Sequence, residues 1–534
     1  MADRPRGDPV GYRFPPLERR GLIAGWRGGQ IASVALGLTA GVLALRSRPT
    51  VSGAVVAVTL VGASVGVSFW PVRGRTGEQW LPLLVRRLVT RSAGGGRQVS
   101  GVRLSGHVAR VDERSGRVTG VDGPARTGVR DGARWATFDG VSVVAVPCGQ
   151  PDAPDMGVVL DRAARTATAV VAVRGHSFAL LGRADQDAAI AAWARVLSSM
   201  AREGSDVHRV QWLESCLPDD GEAVRRHRAA HGRLGPDSAA GRSYDELVAG
   251  SSPSSRRHRV LLALSVHTSH SARAVRAAGG GRVGLGAVLG REVRSLERAL
   301  GGTEVIVDGV LSPGSLGRVI RESSCGGPDP GRSGGAGTAP GHDGGGGAGS
   351  ESDRDRDRQG AAGWPWPMAV EVGWDTVRTD ATWHTTYWIS EWPRVEVSPD
   401  FLGPLLFLPL RRTIALTMEP VSPGRAARQV AQARTADIAD GELRRRSGFL
   451  VTARQTREQE SVDERDVELA DGHAQYRFSG YVTVTADSRD ELRAACSVVE
   501  QAAGQCRVEL RLLYGEQDVA YTCTLPLGRG LATR

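Results

Sequence analysis

Two apolar stretches near the N-terminus, Ile31 to Leu45 and Val51 to Trp70, constrain this chain more than any other feature. Neither contains a charge, and only Arg46-Ser47-Arg48-Pro49-Thr50 separates them. The second stretch has 20 residues. At about 1.5 Å rise per residue, a helix of that length crosses a hydrocarbon core of roughly 30 Å. The first has 15 residues; it is short alone, but Gln30 and the glycines from Gly25 to Gly29 let it begin in the interface as one half of a hairpin. Closely spaced Gly and Ala in both stretches allow close approach, which is how helices associate where lipid removes the hydrophobic drive between them. A buried helical hairpin of a soluble domain is an alternative. So is a cleaved signal peptide, with a charged region before a short apolar core, although a second span five residues later argues against it.

Orientation follows from arginine. Arg13, Arg19, Arg20 and Arg27 flank the entry, Arg73, Arg75, Arg86 and Arg87 follow the exit, and only Arg46 and Arg48 lie in the connecting loop. Basic residues stay on the cytoplasmic side of a membrane, so both termini are expected in the cytoplasm, with two spans in the cell (inner) membrane. Arg19, Arg20, Arg27, Arg73 and Arg75 are the candidate topology residues, and Trp26 and Trp70 sit near the inner ends.

The formal charge of +10 raises the prospect of nucleic acid, but residues 1–98 carry 14 Arg against 4 acids, which accounts for the whole excess. The basicity therefore belongs to the membrane segment and points to anionic lipid, at about 1 kcal/mol per surface-adjacent basic residue. Net charge lends no support to direct nucleic-acid binding by the remainder. The chain also lacks lysine altogether. A Walker A loop sets its lysine on the β and γ phosphates, so a normal P-loop ATPase site is excluded. Six cysteines are scattered without a C-x-x-C pair and do not have metal-ligand spacing.

Along the chain, residues 1–29 form a basic lead-in, 30–70 the hairpin, and 71–98 an amphipathic juxtamembrane helix followed by a glycine break. In that helix Leu81, Leu84, Val85, Leu88 and Val89 recur at helical spacing, which suits a membrane surface. Residues 99–322 read as a first α+β unit. Its strands are Gly157 to Val173, turning at the basic RAAR and extended by HSFALL, then VHRVQWLES and RVLLALSVHT. Helices are expected over Asp185–Arg202 and Arg291–Leu300. The glycines of GRVGLGAVLG miss the spacing of a dinucleotide fingerprint and read as a loop. Residues 323–361, rich in Gly and ending in SDRDRDRQ, cannot bury enough apolar surface to fold and read as a flexible linker.

A second α+β unit occupies 362–534. Six of the 12 tryptophans lie between Trp364 and Trp392. On ATWHTTYWISEWP, alternation puts Trp383, Thr385, Tyr387 and Ile389 on one face and His384, Thr386, Trp388 and Ser390 on the other. Aromatics on both faces imply burial on both sides, in a core or against a partner. Trp383, Tyr387, Trp388 and Trp392 are therefore the candidate partner interface. Gly424 to Asp471 reads as a projecting, highly charged helical pair, and a strand-helix-strand unit closes the chain. The fold class is α+β: a transmembrane hairpin and then mixed α+β material.

No catalytic constellation emerges. His176-Ser177 lacks a nucleophile elbow, and His384 and His473 have no suitably spaced partners, so no enzyme activity, metal or cofactor is expected. The hairpin followed by GRTGEQW, then WHTTYWISEWPRVEVSPDFLGPLL, RRTIALTMEPVSP, GYVTVTA and TLPLGRGL, in that order, resembles an actinobacterial family of conjugation-associated membrane proteins. That family is similar to a PrgI-like two-span component fused to the N-terminal domain of the conjugative type IV secretion ATPase. In the full ATPases a segment like TLPLG leads into the motor; here the sequence ends at Arg534. The resemblance implies a docking platform without a motor. Its partners would be a separately encoded secretion or conjugation ATPase, other inner-membrane secretion subunits and further copies of itself. Two alternatives are a component of a type VII (EccE-like) secretion system and a membrane-tethered DNA-binding module.

Overall fold

The structure, a computed structural model, describes residues 14, 28–47, 49–70, 75–92, 97–99, 103–104, 107–111, 118–122, 138, 140–149, 154–175, 178–219, 222–231, 235, 238–251, 255–325, 366–367, 369–447 and 453–531. The low-complexity stretch and the topology residues Arg19, Arg20, Arg27 and Arg73 lie outside them.

The apolar stretches form two antiparallel helices, α1 (Gly28–Ser47) and α2 (Val51–Phe69). Both are long and apolar enough to cross a membrane, with mean hydropathy of 1.4 and 1.9. Only 11% of each apolar window is buried, so neither helix is a core element of the described body. Instead Leu36, Val42, Leu43, Val51 and Val58 face outward at 65–83% exposure. Small residues set the packing between the two helices. A Cβ on Gly37 would fall 2.1 Å from Ser64 Oγ, Ser33 and Ser68 share a hydroxyl hydrogen bond of 2.6 Å, and Gln30 Nε2 donates to Ser68 O at 3.1 Å. The last two contacts satisfy polar groups that lipid would leave unpaired. Thr50 caps α2 by accepting from Gly53 N.

Helix α3 (Gly77–Ser92) follows. A small sheet is built from β2 (Arg103–Leu104), β3 (His107–Val111) and β4 (Val118–Asp122). The main body is one 13-stranded sheet with every pair antiparallel. From the first half of the chain come β1 (Arg97–Val99), β5 (Val141–Val146), β6 (Met156–Asp161), β7 (Thr166–Arg174), β8 (Val207–Pro218), β9 (Arg256–His267) and β10 (Ile306–Val310). The second half supplies β11 (Ala369–Val372), β12 (Val377–Thr379), β13 (Thr382–Glu391), β14 (Arg412–Pro420), β15 (Tyr476–Ala486) and β16 (Glu509–Leu512). The main path runs β1-β11-β12-β13-β15-β14-β8-β9-β7-β6-β5, with β10 on β7 and β16 on β13. The two stretches read as separate α+β units thus share one sheet, joined where β14 pairs with β8, Ile414 opposite Glu214.

Helices lie on both faces of the sheet or pack on one another. They are α4 (Arg183–Met200), α5 (Glu222–His231), α6 (Ala239–Ser251), α7 (Ala272–Ala277), α8 (Gly281–Leu300), α9 (Pro313–Cys325), α10 (Gly403–Leu406), α11 (Pro423–Ser447), α12 (Ala453–Ala470), α13 (Arg489–Gln505) and α14 (Gln517–Thr522). Strand alternation explains the arrangement. Val171, Leu262 and Leu264 meet Val288 and Leu296 of α8 in one core, while Val170, Leu261 and Ala263 meet Leu316 and Ile320 of α9 and Leu525 in another. A third core joins Tyr387, Ile389, Val482 and Val484 to Val499 of α13. The charged pair α11 and α12 has a small core of its own, Val430, Ala433 and Val462.

Two local expectations need correction. The strand expected to extend through HSFALL ends at Arg174, and Phe178–Leu180 is a 3-10 turn. GRVGLGAVLG is helix rather than loop, forming the first half of α8. Its glycines are there for close approach: a Cβ on Gly284, Gly286 or Gly290 would fall 2.1, 1.9 or 2.7 Å from the carbonyl oxygens of Val275, Pro147 and Cys148. Tyr387 lies in the core at 3% exposure, its hydroxyl donating to Glu500 at 2.8 Å.

Candidate docking surfaces around the juxtamembrane helix

Helix α3 is where the helical hairpin meets the sheet body. Its start is packed against α2, since a Cβ on Gly77 would lie 2.4 Å from Val67 Cγ1. On one side, Arg75 Nη2 donates to Glu516 Oε2 at 2.6 Å, with the arginine side chain only 12% exposed, and Arg86 pairs with Asp518 at the start of α14. Trp80 stacks on Trp374 with ring centroids 5.8 Å apart, Tyr514 lies against both rings, and the Arg87 guanidinium sits 4.5 Å over the Trp374 ring. Such cation–π contacts strengthen as they lose water. The other side carries Leu81, Leu84, Val85 and Leu88, all exposed. Arg75, a residue expected to mark topology and meet lipid, is therefore committed to a carboxylate of the body.

The remaining tryptophans divide. Trp383 is half-buried beneath the guanidinium groups of Arg378 and Arg489. Trp388 is half-buried, donating from Nε1 to Ser479 Oγ at 3.0 Å with Arg511 over its ring. Trp392 forms an aromatic box with Phe401 and Phe478, and the occupant of that box is Phe14 from the N-terminal lead-in, stacked at 5.1 Å on Trp392. Nothing in the local sequence announces this contact between residues so far apart. Segments before and after the hairpin thus both dock on the same body.

Beyond α14 the chain lies along the sheet, held largely through its backbone. Gln211 donates from Nε2 to Cys523 O at 2.7 Å and accepts from Gly528 N at 2.9 Å. Thr417 donates to Arg529 O and Tyr481 to Gly530 O, each at 2.6 Å. Arg529, half-buried, pairs with the buried Asp161 at 2.7 Å. Gly528, with φ +66°, lets the backbone approach until a Cβ would sit 2.1 Å from Ser265 Oγ. TLPLGRG is therefore a clamped segment rather than a loose end.

Two histidines in the body are held away from water. His384 is fully buried, its Nε2 within 2.6 Å of Thr379 Oγ1 and its Nδ1 within 2.9 Å of Thr485 Oγ1. Burial, with the nearby Arg411 charge, pushes its pKa down to about 3. His208 lies near His267 and His270 and is pushed down to about 4 by burial and then by Arg209. Both imidazoles stay neutral in the fold but take up protons near 6.5 once unfolded. Their stabilisation is complete above that pH and declines as pH falls, by up to about 1.4 kcal/mol per pH unit for each group. Denaturation midpoints should accordingly drop between pH 6.5 and 4, and His384→Gln should flatten that slope. The thiols are also quiet, with burial raising Cys523 to about 12. Among the described residues, no group of three His, Cys, Asp or Glu is arranged to hold a metal ion.

No protein-family model matches the chain, and no curated protein matches it.

Proposed function

We propose that this protein is a structural inner-membrane component of a type IV secretion or DNA-conjugation apparatus, acting as a membrane-anchored docking platform for a separately encoded P-loop ATPase. One observation carries the proposal: two apolar helices are joined through α3 to a large antiparallel body by two ion pairs and an aromatic stack. An anchor that only tethered a domain would work with a loose linker. Here the joint is built, as suits a part that must present its body in a fixed place. Docking of Phe14 and α3 on one body supports a topology with both chain ends on a single side of the membrane. The arginine distribution makes that side the cytoplasm. The ordered strings from GRTGEQW to TLPLGRGL support the secretion assignment through their resemblance to the conjugation family, and the absence of lysine leaves nucleotide chemistry to the partner.

Exchange of residues 30–70 for an unrelated two-span hairpin tests the assignment. DNA transfer should be lost while the protein remains in the membrane. Full transfer after the exchange would reduce the hairpin to a simple anchor.

A further inference from the structure

Helix α3 has two committed faces. Leu81, Leu84, Val85 and Leu88, spaced i, i+3, i+4 and i+7, are 63, 46, 51 and 67% exposed. On the other side are Trp80, Arg86 and Arg87, which turn to the body, and Leu83, which is buried. An unpartnered apolar stripe of this size on a helix requires a cover. Its position indicates which. Gly77 packs on Val67, so the stripe continues from the outward surface of α2, where Val65, Val67 and Phe69 are also exposed.

Resting on the membrane placement of the hairpin, we infer that the stripe lies in the acyl boundary of the bilayer and that α3 is an in-plane mount. It fixes the body in one orientation, with the Trp374 turn and α14 nearest the lipid. An amphipathic helix of this kind buries its apolar face about 5–10 Å into the headgroup region. The sheet body then cannot swing freely: α3 is held by lipid below, by α2 at its start, and by Glu516, Asp518 and Trp374 above. Because α14 leads directly into the clamped TLPLGRG segment, the membrane contact and that clamp form one continuous stretch of structure.

The test uses the full-length protein in anionic liposomes with brominated acyl chains. An environment-sensitive fluorophore is attached to Leu84→Cys, Leu88→Cys, Val58→Cys in α2, or Val395→Cys on the body. Unsubstituted protein labelled in parallel supplies the background from native thiols. Positions 84, 88 and 58 should be blue-shifted and lose intensity to the brominated lipid, whereas 395 should not. Quenching at 58 without quenching at 84 and 88 overturns the mount alone, and would mean that protein covers the stripe. Absence of quenching at 58 would instead remove the membrane hairpin, and with it the proposed function.

A second measurement reads the joint. Energy transfer from a donor at 395 to an acceptor in the lipid surface should change in Arg75→Glu/Arg86→Glu and return when Glu516→Arg/Asp518→Arg is added. Transfer unaffected by the first pair of substitutions overturns the fixed orientation.

Discussion

Arg412→Met should lower the stability of the sheet body by about 3–5 kcal/mol, the range for removing one partner of a buried ion pair. Arg412 is 1% exposed and Glu214 5%. The arginine donates to Glu214 Oε2 and to Leu406 O. His258 Nδ1 lies 2.6 Å from the other carboxylate oxygen. Without Arg412, a carboxylate remains buried at the seam where β14 meets β8, the pairing that joins the long strands of the two chain halves in the main sheet. The loss should appear as an earlier midpoint in chemical denaturation. Adding Glu214→Leu should recover part of it, because the uncompensated charge is then gone. A stability unchanged within about 0.5 kcal/mol, the usual effect of surface substitutions, would mean that the seam does not depend on this pair.

Gly286→Val should be comparably severe for a different reason. A bare Cβ there would already lie 1.9 Å from Pro147 O and 2.8 Å from Val146 Cγ1, and valine adds two further methyl groups. Overpacking of this kind usually costs 1–3 kcal/mol, and contact with backbone rather than with a flexible side chain places this case at or above the top of that range. Helix α8 must lift from β5, exposing Leu289 and Val293, which are now 0 and 2% exposed. Thermal unfolding and binding of a hydrophobic dye would register the change. Gly281→Ala, where nothing lies within 4 Å of the added atom although φ is +53°, is a control for backbone strain without crowding.

These two sites also mark how far the sequence could be read. Runs rich in β-branched and apolar residues marked β7, β8, β9 and β15 as strands. Apolar length identified α1 and α2. GRVGLGAVLG was misread because glycine has low helix propensity, while the demand that overrides propensity, backbone contact with Pro147 and Cys148, comes from residues more than a hundred positions away. The same distance hid the seam: no local pattern in RRTIALTMEP says that it will pair with VHRVQWLES. Tryptophan clustering could not divide core from contact residues. Phe14 and Trp80 seal joints between distant segments, while Tyr387 fills the core. The amphipathic pattern of α3 gave its apolar face; its second face depended on Glu516 and Asp518, which only the fold brings near.

We propose above that this body serves as a platform for a separate motor. That role is tested most directly by cross-linking the full-length protein in native membranes, extracting it in mild detergent and identifying what is recovered with it. The platform account predicts a P-loop ATPase carrying a Walker A lysine, recovered in a complex that survives purification and is lost from membranes lacking this protein. Recovery of the protein as a solitary monomer, with no nucleotide-hydrolysing partner cross-linked to it, would contradict the account.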